Sequence, residues 1–245
     1  MKNIAYIIKT HNELPYLQLM LWSLKYNNPN MWSSANIYIF ANNCNDGTKQ
    51  WCDRNGLWCK EVNFPGLYSL WNHAAEITKE QFIVFSASDF VLAPGFWNKI
   101  MHAAQHDLAY YHFTGTCIDN GKSYGHQDEP KRRWYLRDCG DNWQTFDYEK
   151  FIQAVKEFEN DKEIVPNETQ YCPFITTREH FNTLGGFNLS QGDYPSDVDE
   201  TFVRTGKEKG RPPCIVSGAV FYHFGKKSLL RRDNIEYDWH EIENI

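Results

Sequence analysis

For its first hundred residues the chain alternates short apolar runs with segments of helical period, and this alternation limits the fold more than any other feature. Ile4 to Ile8 reads as a strand and Glu13 to Tyr26 as a helix capped by Asn12. Ile37 to Phe40 is a second strand, followed by a helix from about Asp46 that Asn55-Gly56 stops. Leu57 to Val62 is a third strand, Tyr68 to Thr78 a helix, and Phe82 to Phe85 a fourth strand. Strands separated by helices of that length imply right-handed crossovers and a largely parallel sheet, so the class is α/β. In such sheets ligands bind outside the carboxyl ends of the strands. Those ends read Thr10-His11-Asn12-Glu13, Asn42-Asn43-Cys44-Asn45-Asp46 and Ser86-Ala87-Ser88-Asp89. All three segments are polar, and together they are predicted to rim one crevice.

Beyond residue 105 the periodicity weakens. Leu108 to Phe113 reads as a strand and Tyr148 to Phe158 as a helix. A strand then runs from Tyr171 to Thr176, a short helix to Leu184, a helix from Asp197 to Lys209, and a final strand from Cys214 to Tyr222. With 245 residues, no repeat and no linker, one domain is expected over 1–245, with a change of pattern near residue 105. The 42% hydrophobic and 23% charged residues are those of a globular chain. No apolar run has the length of a membrane span, and MKNIAYIIKTHNE has no signal-peptide cleavage pattern. Seven cysteines without a CxxC pair point to reduced thiols, and the two observations together to a cytoplasmic location. The net charge of −6 speaks against nucleic acid as a partner. Basic clusters do occur at 131–137 and 225–232.

Six motifs in order resemble the GT-A-fold glycosyltransferases of family 2: THNE after strand one, NNCNDGT after strand two, WNHAAE ahead of strand four, SASDFVLAPGFW after it, GGFNLSQGDYPSDVDETFVRTGKEKG, and VFYHFGKKS. The resemblance covers roughly residues 3–100 and 170–230. It implies a single GT-A (Rossmann-like) domain with a mixed, mostly parallel central sheet flanked by helices, a nucleotide-sugar donor, a glycan or other hydroxyl acceptor, and a divalent cation, Mn²⁺ or Mg²⁺. Within 1–245 it makes residues 1–104 the nucleotide-sugar-binding half and 105–245 the acceptor-binding and catalytic half. It places Thr10, His11, Asn12 and Glu13 against the base and ribose, with Asn72 and Ser88 near the donor. The family's uracil-reading acid is replaced by Ala41, for which Asn42 or Asn43 stands in; an amide offers donors as well as an acceptor. Asp46, ahead of Gly47-Thr48, reads as a helix cap.

Asp89 is what remains of the D-x-D that the family commonly carries, and the resemblance makes His223 the second metal ligand. Hard cations take oxygen ligands, one or two carboxylates sufficing when phosphate and water fill the rest, and imidazole suits Mn²⁺ better than Mg²⁺. Lys226 and Lys227 would face the leaving diphosphate. Within 195–200, P-S-D-V-D-E matches the family's E-D-x-D, which makes Asp197 the general base for an inverting transfer. Asp199, one step off that helix face, is the other acid of the motif. Trp134, Tyr135 and Trp143 are candidate sugar platforms, although core packing is the commoner role of any one aromatic residue. Ala41, Ser86 and Ser196 each replace an expected acid. The rival reading is therefore a catalytically decayed module that binds carbohydrate or nucleotide. A nucleotidyltransferase is disfavoured, because THNELP lacks a glycine-rich phosphate loop.

Overall fold

In the computed structural model the first strand, β1 (Ile4–Thr10), lies inside the sheet, between β2 (Ala35–Asn42) and β4 (Phe82–Ala87), and is parallel to both. The structure describes residues 2–106, 112–119, 128, 130, 133–167, 172–190, 192 and 195–225, with 106 and 195–197 described by their backbone alone. β3 (Cys59–Val62) extends the parallel edge beyond β2. On the other side β9 (Phe174–Thr177) runs antiparallel to β4 and to β6 (His112–Asp119). β10 (Cys214–His223) is parallel to β6, and β5 (Phe90–Leu92) closes the order against it. The path is β3-β2-β1-β4-β9-β6-β10-β5, with β7 (Trp134–Leu136) on β6 and β8 (Ile164–Pro166) on β10. The sheet is mixed: its first half is parallel, as the crossovers require, and its second half interleaves antiparallel strands.

Side-chain alternation along a strand feeds a core on each face. From β1, Ile4, Tyr6 and Ile8 meet α1 (Leu14–Asn27), α2 (Pro29–Ser34), α3 (Thr48–Arg54) and α5 (Phe96–His106). Ala5 and Ile7 face the opposite way, toward α4 (Leu67–Ile77), α7 (Arg178–Leu184) and α8 (Pro195–Glu208), through Trp71, Phe85, Phe181 and Phe202. A third cluster forms where α6 (Tyr148–Val155) covers Val91, Ile118 and Tyr222. β10 slips register between Val216 and Val220, and there Gly115 of β6 comes so close that a Cβ would lie 2.2 Å from the Ala219 carbonyl oxygen. Only glycine fits.

The elements read from the sequence recur with shifted ends, while α2, β5, β7 and β8 are too short to carry a periodic signal. Of the strand expected at 108–113, residues 108–111 lie outside the described residues; the described strand begins at His112. Asn12 is not the cap of α1. It has φ 52, the cap position is Glu13, and the Leu14 N–H donates instead to Asp46 Oδ2 at 2.9 Å. Asp46 also accepts from the Thr48 N–H (3.2 Å) and hydroxyl (2.7 Å), so one carboxylate satisfies the starts of both α1 and α3.

Candidate active site

The register of the parallel strands brings the three polar loops together. Thr10 lies beside Ala41 and Lys9 beside Ala87, so the loops leave the sheet at one level. Much of their polarity holds the loops to each other. The Ser88 hydroxyl donates to Glu13 Oε2 at 2.5 Å with both residues buried (0% and 3% exposed), and the Ser88 N–H donates to the Lys9 carbonyl. The Asn45 N–H donates to Asn12 Oδ1 at 2.7 Å, and His11 Nδ1 lies 2.5 Å from the Asn42 carbonyl oxygen.

Several of the expected donor contacts take supporting places here. Thr10, Glu13, Ser88 and Asn42 are buried beneath the crevice surface. Asn42 grips the backbone of Phe64 at two points, accepting from its N–H (2.8 Å) and donating to its carbonyl (3.1 Å). Asn72 does the same to Phe187 (2.9 and 2.8 Å), so its amide fixes the Gly185-Gly186-Phe187 turn. Asn43, which has φ 54 and an exposed side chain, is the amide left at the crevice edge next to Ala41. Lys226 and Lys227 lie outside the described residues, and nothing is described of the Asp197 side chain beyond its place in the first turn of α8.

The two expected metal ligands do come together. β5 pairs with β10 so that Phe90 opposes His223, and the Phe224 N–H donates to the Asp89 carbonyl oxygen. This places His223 Nε2 3.3 Å from Asp89 Oδ2, both side chains largely but not fully buried. Burial pushes the Asp89 carboxyl upward, yet the adjacent His223 and, farther off, Lys9 outweigh it, so the group stays below the ordinary carboxylate range. Two cis ligands of an octahedral ion at about 2.0–2.2 Å stand roughly 3 Å apart, so the separation of this pair matches that of two ligands to one cation, once the proton between them is given up. Among the described residues no cluster of three or more His, Cys, Asp or Glu side chains is placed to hold a metal, so oxygens other than theirs must complete such a site. The Trp134 ring meets the His223 ring edge-on at 6.2 Å, beside this pair. Trp134 also packs against the first core cluster, and Tyr135 and Trp143 against the third, which favours the packing role for the latter two.

α8 carries a second acid, held against α4. The Tyr68 hydroxyl, at the start of α4, donates to Asp199 Oδ1 at 2.6 Å, and burial raises the Asp199 carboxyl to about 7 against the pull of that hydrogen bond. Cys172, which leads into β9, feels both Asp89 and Asp199, and its thiol is pushed well up, mainly by burial. Both acids thus act on the same thiol through their charge, while the Cys172 thiol itself donates to the Phe85 carbonyl. Sequence reasoning ranked Asp199 behind Asp197 and passed over Tyr68, Cys172 and Lys9; the Tyr68–Asp199 hydrogen bond and the charge influences on Asp89 and Cys172 are visible only in the structure.

The sequence model of glycosyl transferase family 2 matches residues 6–165. No curated protein matches the chain. Among solved structures, GalNAc-T7 with UDP, GalNAc and Mn²⁺ superposes with a TM-score of 0.63 at 15% identity, over 90% of this chain and 43% of that one. The mannosyltransferase PcManGT from Pyrobaculum calidifontis, in complex with GDP-Man and Mn²⁺, gives 0.57 at 15% identity, over 94% of this chain and 58% of that one. Residues 1–349 of S. aureus TarS give 0.55 at 15%, over 94% and 62%. The chain thus spans about half the length of these structures and shares their GT-A fold.

Proposed function

The chain belongs to glycosyl transferase family 2, and from that membership we propose that it moves a sugar from a nucleotide-diphospho-sugar to a hydroxyl acceptor on a glycan or glycoconjugate, with inversion at the anomeric carbon. The observation that carries this reading is the Asp89–His223 pair, 3.3 Å apart at the end of the crevice where the donor's diphosphate would lie. Asp89 and His223 would hold a divalent cation, which when bound supplies positive charge against the departing diphosphate. Mn²⁺ is the ion bound to GalNAc-T7 and to PcManGT, and imidazole favours it here. Lys226 and Lys227 are proposed to add charge from the chain that follows β10.

The remaining work falls to the chain's own residues. Asn43 and His11 form the crevice edge offered to the base, while the Glu13–Ser88 and Asn12–Asn45 hydrogen bonds hold those loops in place. An acid on α8 takes the proton of the acceptor hydroxyl as the sugar–phosphate bond breaks and an oxocarbenium-like state forms. Asp197 is that base in the motif reading. Asp199 has a specific observation in its favour: a carboxyl raised to about 7, held by Tyr68, is poised near neutral pH for proton transfer. A cytoplasmic location is proposed from the thiols alone, all seven cysteines being free; no helix among the described residues is long and apolar enough to cross a membrane.

The test is incubation with a panel of nucleotide sugars and Mn²⁺, following release of nucleoside diphosphate and addition of sugar to hydroxyl acceptors. The decayed-module reading rests on the serines and alanine standing where acids are expected. It predicts that Mn²⁺-dependent nucleotide binding survives while neither transfer nor slow donor hydrolysis occurs.

A further inference from the structure

On the helical face away from the crevice, α1, α2, α3 and the turn after α3 enclose an open cleft of about 170 Å³ lined by Gln18, Trp22, Tyr26, Trp32, Trp51 and Asn55, among others. Four large aromatic side chains meet there, none fully buried, and Tyr26 is 57% exposed. The Trp22 and Tyr26 rings stand 5.9 Å apart, inclined at 39°. Amides stand among the rings. Asn55 donates to the Trp51 carbonyl at 2.8 Å, which fixes its position at the rim. Gln18 Oε1 is buried and has no hydrogen-bond partner among the described residues. An acceptor without a donor is unfavourable, and since Gln18 lines the cleft, a small rotation of its side chain would bring this buried oxygen to an O–H or N–H held there.

We propose that this cleft binds a neutral sugar ring of an oligosaccharide, stacked on the aromatic faces and donating a hydroxyl to Gln18 Oε1. A sugar ring presents an apolar C–H face and an equatorial rim of hydroxyls, which is the complement of aromatic walls with amides set between them. The volume is below the roughly 300–1,000 Å³ of pockets for drug-sized ligands and suits a single ring. A nucleotide would need cations for its phosphates, and the lining offers Lys25, whose ammonium lies over the Tyr26 ring at 5.5 Å. A protein partner would need roughly 800 Å² of contact on each side, far more than this concavity provides. The cleft is separate from the donor crevice. α1 begins at the crevice with Leu14, and at 1.5 Å per residue Trp22 and Tyr26 lie about 12 and 18 Å farther along the helix. The ring held here is therefore not the one transferred, and its binding depends on neither nucleotide nor metal.

The experiment titrates the full chain, without nucleotide or metal, with defined gluco-, manno-, galacto- and N-acetylglucosamine hexasaccharides, read by tryptophan fluorescence and saturation-transfer NMR. At least one should bind with a Kd in the millimolar range or tighter. Tyr26→Ala, a change at an exposed residue, and Gln18→Leu, which keeps the bulk and removes the acceptor, should each weaken binding about tenfold or more, equivalent to about 1.4 kcal/mol. Gln18→Leu should at the same time leave the thermal midpoint unchanged or raised, because it relieves an unpaired buried oxygen. Asp89→Ala should leave the saccharide affinity untouched, which separates this site from the donor site. No binding across the panel, or binding indifferent to both variants, overturns the proposal. A concentration-dependent dimer in sedimentation that Tyr26→Ala abolishes also overturns it, by assigning the cleft to a second copy of the chain.

Discussion

The acids of the crevice differ in what holds them, and their chemistry differs accordingly. Asp89 is kept ionised by His223 and Lys9 despite its burial, as a metal ligand must be; among the described residues Asp199 has only Tyr68 to oppose burial, and its carboxyl rises to about 7. The raised value fixes two opposite pH dependences. Folded Asp199 binds its proton more tightly than the unfolded chain does, so its contribution to stability is full below pH about 4 and is lost as pH climbs through about 7. If it is also the base, turnover rises over the same interval as the carboxylate forms. Asp199→Asn should therefore flatten the decline in thermal midpoint between pH 5 and 8. It should also lower turnover by roughly 10²–10⁴-fold with donor affinity kept. Should Asp197→Asn do the greater damage while Asp199→Asn alters only stability, Asp197 is the base, and Asp199 serves to tie α8 to α4. At Asp89 the expectation is simpler: Asp89→Ala abolishes Mn²⁺-dependent nucleotide binding, measured by calorimetry, with little change in unfolding midpoint, because a short polar side chain at a strand end supports little packing.

At the scale of elements, the motifs around the site are as much joints as contacts. Asn42 and Asn72 each clamp a phenylalanine backbone by two hydrogen bonds, and Asp46 caps two helices at once. Asn72→Ala would leave the N–H and carbonyl of Phe187 unpaired beside a core of aromatic rings. A loss of about 1–3 kcal/mol is expected in urea unfolding. Gly186→Ala should be comparably harmful, since φ there is 69 and a Cβ would stand 2.9 Å from Asn72 Oδ1. The strands and helices up to β4, apart from the six-residue α2, were legible because each has a period and a stop signal; α5 was not read. The three-residue strand β5 was not, since Phe90-Val91-Leu92 merges with the apolar run around it, yet β5 is the element that carries Asp89 to His223. The same limit explains Asn42 and Asn72. An amide in a polar loop reads as a ligand contact, and nothing in the sequence tells that Phe64 and Phe187 come back to meet it.

For the whole molecule, the consequence lies in where the two proposed ligands come from. Asp89 follows β4 in the first half of the chain, and His223 ends β10, the last described strand, joined to it through the antiparallel pairing of β5 with β10. An ion held by both would link the two halves of the sheet, so donor binding should stabilise the fold as a unit rather than one loop. A nucleoside diphosphate with Mn²⁺ at a hundred times its dissociation constant should add about 2.7 kcal/mol. At about 2–4 °C per kcal/mol for a chain of this size, that is a rise of several degrees in a single cooperative transition. With chelator present the rise should shrink sharply. In Asp89→Ala it should not depend on Mn²⁺ at all, and in His223→Ala it should be reduced but measurable, the carboxylate still anchoring the ion. Because Ala41 stands where the family reads uracil, uridine and thymidine diphosphates should give similar shifts, and other bases should follow closely. An exclusive response to uridine diphosphate would mean that Asn43 or the backbone beside it reads the base. A shift of full size in chelator would mean that the diphosphate is held by the chain's own cations, and Asp89 with His223 would then be an ion pair closing the end of β10 rather than a metal site.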